Sequence, residues 1–453
     1  MKHPSQINRR RFLQRTSAFA GAATGAHLLG MPALLSAASP NSKLGIAVIA
    51  CGGMGGGNPG IAASERLVAL VDVDEKALGQ AVKQVEAKAP NPKTYFDYRK
   101  MYDECAKDID LVLIATPDHH HAPAAIRAIK LGKAVFVQKP MAHNISECYT
   151  LAKAATEHKV LTQMGNQGHY GESIRRVCEY IWAGAIGNVT EVHAILGRNF
   201  GGSGGRSASK PVPPGVHWDE WLGPAPYRDY HDGLHPFSWR SWRDFGTGTV
   251  GDMACHNLDT LFWALKLGEA KMYTVECLNT KGGSAEMWPQ DNIVRWEFAA
   301  RGAMPPVKVH CYDHAELRPE IMKETEKKYN IKFGECTLFV GDKGLIRIEG
   351  TSSRWQFLPE EKFDEVPRPP KSLPRAHGGP PADLLYCCKH GGTPCSSFAE
   401  SAAPLTSFAM TGHLAQFAGM GKKLQWDVEK MLVTNMPEIN RHTRREYRKG
   451  WEV

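Results

Sequence analysis

Asp252, His256 and Asp259 follow one another at intervals of four and three residues, the spacing that places side chains on one face of a helix. A carboxylate beside an imidazole can orient the ring and hold the charge it gains on taking up a proton, so the set is a candidate proton-handling group. Lys139 could share or relay that proton, because it closes an apolar run of strand length and is followed at once by Pro140. Two other readings stay open: the three residues could bind a metal ion, or His256 could be a satisfied core histidine. The consecutive His119, His120 and His121 diverge in direction and make a poor tetrahedral site.

The elements that would position these groups begin at residues 43–50, a short apolar run that leads straight into Cys51, Gly52, Gly53, Met54, Gly55, Gly56 and Gly57. A strand followed by such a turn lets the backbone bend sharply and approach a pyrophosphate, with the next helix presenting its N–H groups to the phosphates. A second apolar run, 67–71, ends at Asp72, 22 positions beyond Ala50. An acid there accepts hydrogen bonds from adenosine ribose hydroxyls and repels a 2′-phosphate, which selects NAD over NADP. Ala50 stands where the fingerprint has its first glycine, and Asn58 and Pro59 predict a short first helix, capped by Asn58. A tight turn without a ligand is the alternative for these glycines. Further strands are predicted at 110–115 and 134–137, with a helix at 122–131 between them. Strand-helix alternation implies a parallel sheet, which binds ligands at the carboxyl ends of its strands. Thr116, Pro117, His121 and Gln138 fall at those ends, as does Lys139.

The chain resembles the Gfo/Idh/MocA oxidoreductases through several motifs in order: IACGGMG (49–55), LVDVDE (70–75), ATPDHHHA (115–122), GKAVFVQKP (132–140), TQMGNQGH (162–169), GTGTVGDMACHNLD (246–259) and YRKGWE (447–452). The resemblance implies an α/β protein, with an N-terminal Rossmann parallel sheet and a C-terminal α/β domain carrying a large, mainly antiparallel open sheet that serves in oligomerisation. The expected divisions are a Rossmann domain at 43–162, a substrate and oligomerisation domain at 163–424, and a tail at 425–453 packed on the body. By the same resemblance Lys139, Asp252 and His256 are catalytic. The residues expected at NAD are Gly52, Gly53, Met54, Gly55, Asp72, Thr116, Pro117, His121, Gln138 and Gln167, and those expected at substrate are Asn166, Trp239 and Asp259, with Asn166 and Gln167 placed there by the resemblance. Gln138 replaces the glutamate of the family's Glu-Lys-Pro motif and removes a charge beside the cofactor. The implied activity is hydride transfer at a hydroxyl of a sugar, glycoside or polyol. A redox-neutral glycoside hydrolase or lyase acting through a keto-sugar, and a non-catalytic carbohydrate-binding protein on the same fold, are the rivals.

At 453 residues, 42% of them hydrophobic, the chain exceeds the usual single core. Five of its eight net positive charges, Lys2, Arg9, Arg10, Arg11 and Arg15, lie in the first 38 residues, which hold no acid. The remaining +3 gives no footprint for nucleic acid, and past the N-terminus no apolar stretch is long enough for stable membrane insertion. Residues 1–38 approximate a twin-arginine export signal, with a small-residue cleavage site at Ser36, Ala37 and Ala38, so a periplasmic location and a homo-oligomer, dimer or tetramer, are expected. Eleven cysteines in no recognisable framework fit thiols left free by export in the folded state, and no Cys-x-x-Cys metal site is seen. Between residues 201 and 246 a Gly/Ser-rich excursion precedes Trp218, Trp221, Tyr227, Tyr230, Phe237, Trp239 and Trp242. These rings could stack on a sugar or pack on one another under a long loop.

Overall fold

The computed structural model describes residues 42–453, so the expected signal at 1–38 lies outside the described residues. Six parallel strands, β1 (Gly45–Ile49), β2 (Arg66–Val71), β3 (Lys93–Tyr95), β4 (Leu111–Ile114), β5 (Ala134–Gln138) and β6 (Thr162–Gly165), form a sheet in the order β3-β2-β1-β4-β5-β6. This is the doubly wound order of a dinucleotide-binding fold. Every residue of β1 and β4 is buried, as strands covered on both faces require. The sheet runs through β6 to Gly165 and so crosses the division expected at 162–163.

Helices α1 (Asn58–Ser64), α2 (Glu75–Val85), α3 (Asp118–Lys130) and α4 (Ile145–Glu157) flank this sheet. α1 is short, as Pro59 requires, but it starts at Asn58 with Gly57 before it and has no side-chain cap. Asp74 caps α2 through the N–H groups of Lys76 and Ala77, and Asn144 caps α4 through Glu147. α3 begins four residues before the predicted helix, so His119, His120 and His121 belong to its first turn and not to a loop.

The second sheet has nine strands. They are β7 (Val189–Ile195), β8 (Met272–Lys281), β9 (Gln290–Phe298), β10 (Val307–Tyr312), β11 (Cys336–Gly341), β12 (Gly344–Glu349), β13 (Trp355–Leu358), β14 (Leu424–Asp427) and β15 (Leu432–Val433), in the order β13-β12-β11-β7-β10-β9-β8-β14-β15. Only the β7–β10 pair is parallel. The segment expected as a packed tail therefore adds two strands to the sheet edge. Along β9 buried and half-buried residues alternate, the period of a strand with one face on the core. That core is closed by α5 (Gly248–Asn257), α6 (Asp259–Ala264) and α7 (Ala403–Ala418). α7 is apolar around nearly its whole circumference and correspondingly buried. One apolar cluster runs from Ala47 and Val137 of the first sheet through Met253 and Phe408 to Trp296 of the second, so the two domains share a core.

Residues 199–247 leave the second domain and return across the first. The N–H of Glu75 donates to the Gly215 carbonyl at 2.9 Å and that of His217 to the Val73 carbonyl at 2.8 Å. Val216 forms a bridge with Asp74, and His235 Nε2 lies 2.9 Å from the Asp74 carboxylate. The strap carries its own apolar cluster of Trp218, Trp221, Tyr230, Trp239, Trp242 and Phe245. Most of the aromatic rings therefore pack on one another. Ten of the eleven cysteines are buried and all are unpaired.

Candidate active site

A cavity of about 580 Å³ opens between the glycine turn, the carboxyl ends of β2, β4 and β5, and the strap. Its wall contains Gly52, Gly53, Met54, Asp72, Thr116, Pro117, Gln138, Lys139, Trp239 and Asp252, all expected from sequence. The turn starts at Ala50, whose φ of 69° is left-handed and is the conformation that a glycine would adopt without strain. Gly53 also has positive φ, and a Cβ there would meet nothing within 4 Å, so its backbone lies open to a ligand. Gly55 serves the turn itself. A Cβ on it would come to 2.3 Å from the Ala50 carbonyl oxygen and 2.9 Å from Ala115 Cβ. Gly55→Ala should therefore cost about 1–3 kcal/mol of stability, as overpacking does. Chemical denaturation would measure this, and an unchanged midpoint would refute it.

The Asp72 carboxylate accepts the backbone N–H groups of Cys51 at 2.7 Å and Asp74 at 2.9 Å, tying the turn to the end of β2. Burial raises its pKa against those two hydrogen bonds. A carboxylate has about four acceptor positions, so capacity remains for ribose hydroxyls. Asp74 and Phe96 extend this end of the wall.

At the other end Lys139 Nζ donates to Asp252 Oδ2 at 2.9 Å and to the Asp252 carbonyl at 3.2 Å. Asp252 Oδ1 lies 3.4 Å from Arg240 Nε, so one nearly buried carboxylate sits between two cations. Burial pulls the Lys139 ammonium toward neutrality, but Asp252, Cys255 and Asp118 outweigh it and hold its pKa above the ordinary value. Asp118, at the start of α3 and in the same wall, accepts from Thr247 Oγ1 at 2.7 Å. Burial and the Asp252 charge push it up to about 7. The group thus sets Lys139 and Arg240 against Asp252, with Asp118, pushed up to about 7, beside them.

Other expected residues lie elsewhere. His256 does not receive the Asp252 carboxylate, which Lys139 and Arg240 occupy, and it is absent from the cavity wall. It is buried with Nδ1 unpartnered, and burial, with the Lys139 charge, pushes it down to about 3. The predicted single helix face breaks at Leu258, where α5 gives way to α6, and Asp259 turns into a separate joint. There it accepts from Asn166 Nδ2 at 2.8 Å and pairs with His169 at 3.0 Å, while Asn166 also donates to the Cys255 carbonyl. Asn166 and Asp259 therefore hold the two domains together beside the cavity, and Gln167 starts the short turn next to them, also outside the wall. His121 lies beneath the wall, with its ring nitrogens 2.7 Å from the Pro140 carbonyl and 2.9 Å from the Thr116 carbonyl. Its single N–H donates to one of these carbonyls, and the ring lies packed between the loops that carry Thr116 and Lys139. His119 and His120 both turn Nε2 toward the Trp221 carbonyl, anchoring the strap.

Sequence reasoning did not single out Asp118, Arg240 or Trp451. Asp118 was visible as an acid directly after a strand-end Thr-Pro. Arg240 lies among tryptophans and stacks on Trp239 at 4.2 Å and Phe237 at 4.3 Å. Trp451 reaches the wall from the far end of the chain, beneath Arg99 at 3.7 Å.

Residues 44–166 match the family model described as the oxidoreductase family, NAD-binding Rossmann fold, and residues 194–288 match its C-terminal alpha/beta domain. The chain therefore carries an NAD-binding Rossmann domain and a C-terminal domain of the Gfo/Idh/MocA type. Among curated proteins it is similar to a glycosyl hydrolase family 109 protein of Shewanella sp. strain ANA-3, 28% identical over 206 residues, 40% of this chain and 44% of the relative. It is also similar to an alpha-N-acetylgalactosaminidase of Shewanella oneidensis, 29% identical over 205 residues with the same coverage. These matches span less than half the length of those relatives. Among solved structures the fold resembles the aldose-aldose oxidoreductase of Caulobacter crescentus complexed with glycerol, with TM-score 0.56, 17% identity, and coverage of 84% of this chain and 99% of that one. It also resembles the WlbA dehydrogenase of Bordetella pertussis in complex with NADH and UDP-GlcNAcA, with TM-score 0.56, 16% identity, and coverage of 84% and 98%.

Proposed function

We propose that the protein acts on a hydroxyl-bearing carbon of a sugar, glycoside or polyol, NAD supplying the hydride acceptor when bound. The observation that carries the proposal is the Lys139–Asp252–Arg240 array at the end of a cavity that begins at the open backbone of Gly53. The residues present fit the cofactor: Gly52 and Gly53 leave room for phosphates, Asp72 has acceptor capacity for ribose, and Thr116 Oγ1 is buried in the wall without a partner. Lys139, held as a cation, stabilises the oxygen of a hydroxyl as its proton leaves. Asp252 fixes that cation in place. Asp118 stands in the wall and is pushed up to about 7 by burial and the Asp252 charge, which suits it to exchange the proton near pH 7, whereas His256 lies outside the wall. Phe237 and Trp239 offer ring faces to a sugar at the same end.

The curated relatives favour a second reading, in which the same residues serve redox-neutral glycoside cleavage through a keto-sugar. The deciding experiment uses mature protein purified without added nucleotide. Acid denaturation should release NAD, identified by mass. Intact protein would be incubated with mixed glycosides and polyols without added NAD. Turnover many times the bound nucleotide supports the redox-neutral cycle, whereas one equivalent of product that multiplies on adding a keto-sugar acceptor supports net oxidation. Absence of both bound nucleotide and NAD affinity would sink both. Twin-arginine export belongs to the same proposal. Arg10→Lys with Arg11→Lys should leave the precursor in the cytoplasm, which cell fractionation reads, and sedimentation should find a dimer or tetramer.

A further inference from the structure

On the face of the nine-stranded sheet opposite α5, α6 and α7, β7 and β10 run parallel with His193 directly beside His310. Glu191 lies two residues before His193 and so projects from the same face. The His193 and His310 rings stack at 5.1 Å with 12° between their planes. His193 Nε2 and His310 Nδ1 are both buried without a hydrogen-bond partner, and both residues are at least nine-tenths buried. Each of these nitrogens points toward Glu191 Oε1, at 3.5 and 3.4 Å, too far for a good hydrogen bond. Two orphaned imidazole nitrogens converging on one carboxylate cost stability unless something sits among them.

We propose that Glu191, His193 and His310 bind one divalent transition cation of the zinc class, joining β7 to β10. All three donor atoms lie within 4.8 Å of one another. Zinc–ligand bonds of about 2.0–2.2 Å in a tetrahedron put neighbouring donors roughly 3.3–3.6 Å apart, the separation already present between Glu191 and each histidine. Two imidazoles and a carboxylate suit zinc, nickel or iron better than calcium or magnesium, with the remaining position left to water. His193 is also oriented from behind, because its Nδ1 lies 3.0 Å from the Tyr312 hydroxyl. That is the outer contact that metal-binding histidines use to fix ring and tautomer. Two cations stand nearby. Arg295 is engaged by Glu276 at 2.7 Å and Glu297 at 3.1 Å, and Lys308 is exposed. A second cluster, His377, Asp383 and Cys387, is a weaker candidate, since both Asp383 oxygens already accept backbone N–H groups, from His377 and Cys395. Sequence inspection could not find the first site, because its histidines come from strands far apart in the chain.

The test uses untagged mature protein, stripped with a chelator and titrated with cobalt(II), with competing zinc to displace it. One equivalent should bind, with visible absorption of a nitrogen- and oxygen-ligated ion. Glu191→Gln, at a half-exposed position, and His310→Gln should each weaken binding at least about 10-fold while thermal unfolding of the cation-free proteins stays cooperative. Cys387→Ser should leave the equivalent intact. Cobalt binding that is unchanged in the doubly substituted Glu191→Gln/His310→Gln protein, or that disappears with Cys387→Ser, overturns the assignment, as does absence of saturable binding in the parent.

Discussion

Lys139→Met is expected to lower turnover by about 10²- to 10³-fold, the range for losing a donor aimed at developing negative charge, while bound NAD stays close to one per chain. Methionine keeps most of the side-chain volume and removes the charge. Asp252 retains Arg240 at 3.4 Å, so the carboxylate is not left buried alone and folding should survive. The nucleotide site at Gly53 and Asp72 is at the other end of the cavity, which separates binding from chemistry. KM should change far less than kcat, since the ammonium interacts most strongly with charge that develops during reaction. Lys139→Arg should not restore the rate, because the planar guanidinium cannot reproduce a point donor between the Asp252 carboxylate and its own carbonyl. Activity within about threefold of the parent, at equal nucleotide content, would show that Lys139 is a structural tie to α5.

Mild acid should unfold the protein, and buried histidines set the direction. His120, His256 and His413 are pushed down to about 3 and His121 to about 4, and His119 and His143 lie well below the ordinary value, burial being the first cause for all six. A folded pKa below the unfolded value contributes stability above about 6.5 that is lost as pH falls toward the folded pKa. Asp118 and Asp313 work oppositely. Burial raises both to about 7, so their contribution is complete below the ordinary carboxylate range and is lost as pH rises through 7. Among these buried groups the six histidines outnumber the acids Asp72, Asp118 and Asp313, all raised by burial, between pH 6.5 and 4. At pH 5 each depressed histidine costs on the order of 2 kcal/mol, and two or three such costs consume most of a stability of about 5–15 kcal/mol. The melting temperature should peak near neutrality and fall steeply between pH 6.5 and 5 at constant ionic strength. A flat profile across that interval would refute the burial of neutral imidazoles.

The cofactor half of the site was legible because its signals are local. A strand, a glycine turn and an acid at the next strand end are short-range features, and Gly53, Asp72, Thr116 and Lys139 all reach the cavity. The chemical half was legible in residue types but not in partners. Asp252 was paired with His256 on helical spacing, yet Lys139, distant in sequence, and Arg240, from the strap, take its two oxygens. Nothing local marks Leu258 as a helix break, since no Gly or Pro stands there, so Asp259 was placed on a face it does not share. The aromatic segment was ambiguous for a physical reason. Packing on a ligand and packing on one another both require the same apolar rings, and only the fold shows that Trp218 and Trp242 are core while Phe237 and Trp239 face the cavity.

The strap has a topological meaning. It is fastened to the Rossmann domain by main-chain hydrogen bonds at residues 73–75 and 215–217 and by the His119 and His120 contacts to Trp221. It supplies one wall of the cavity, through Trp221, His235, Phe237 and Trp239. The strap touches Asp74 through His235 and Asp252 through Arg240, so one segment spans both ends of the cavity.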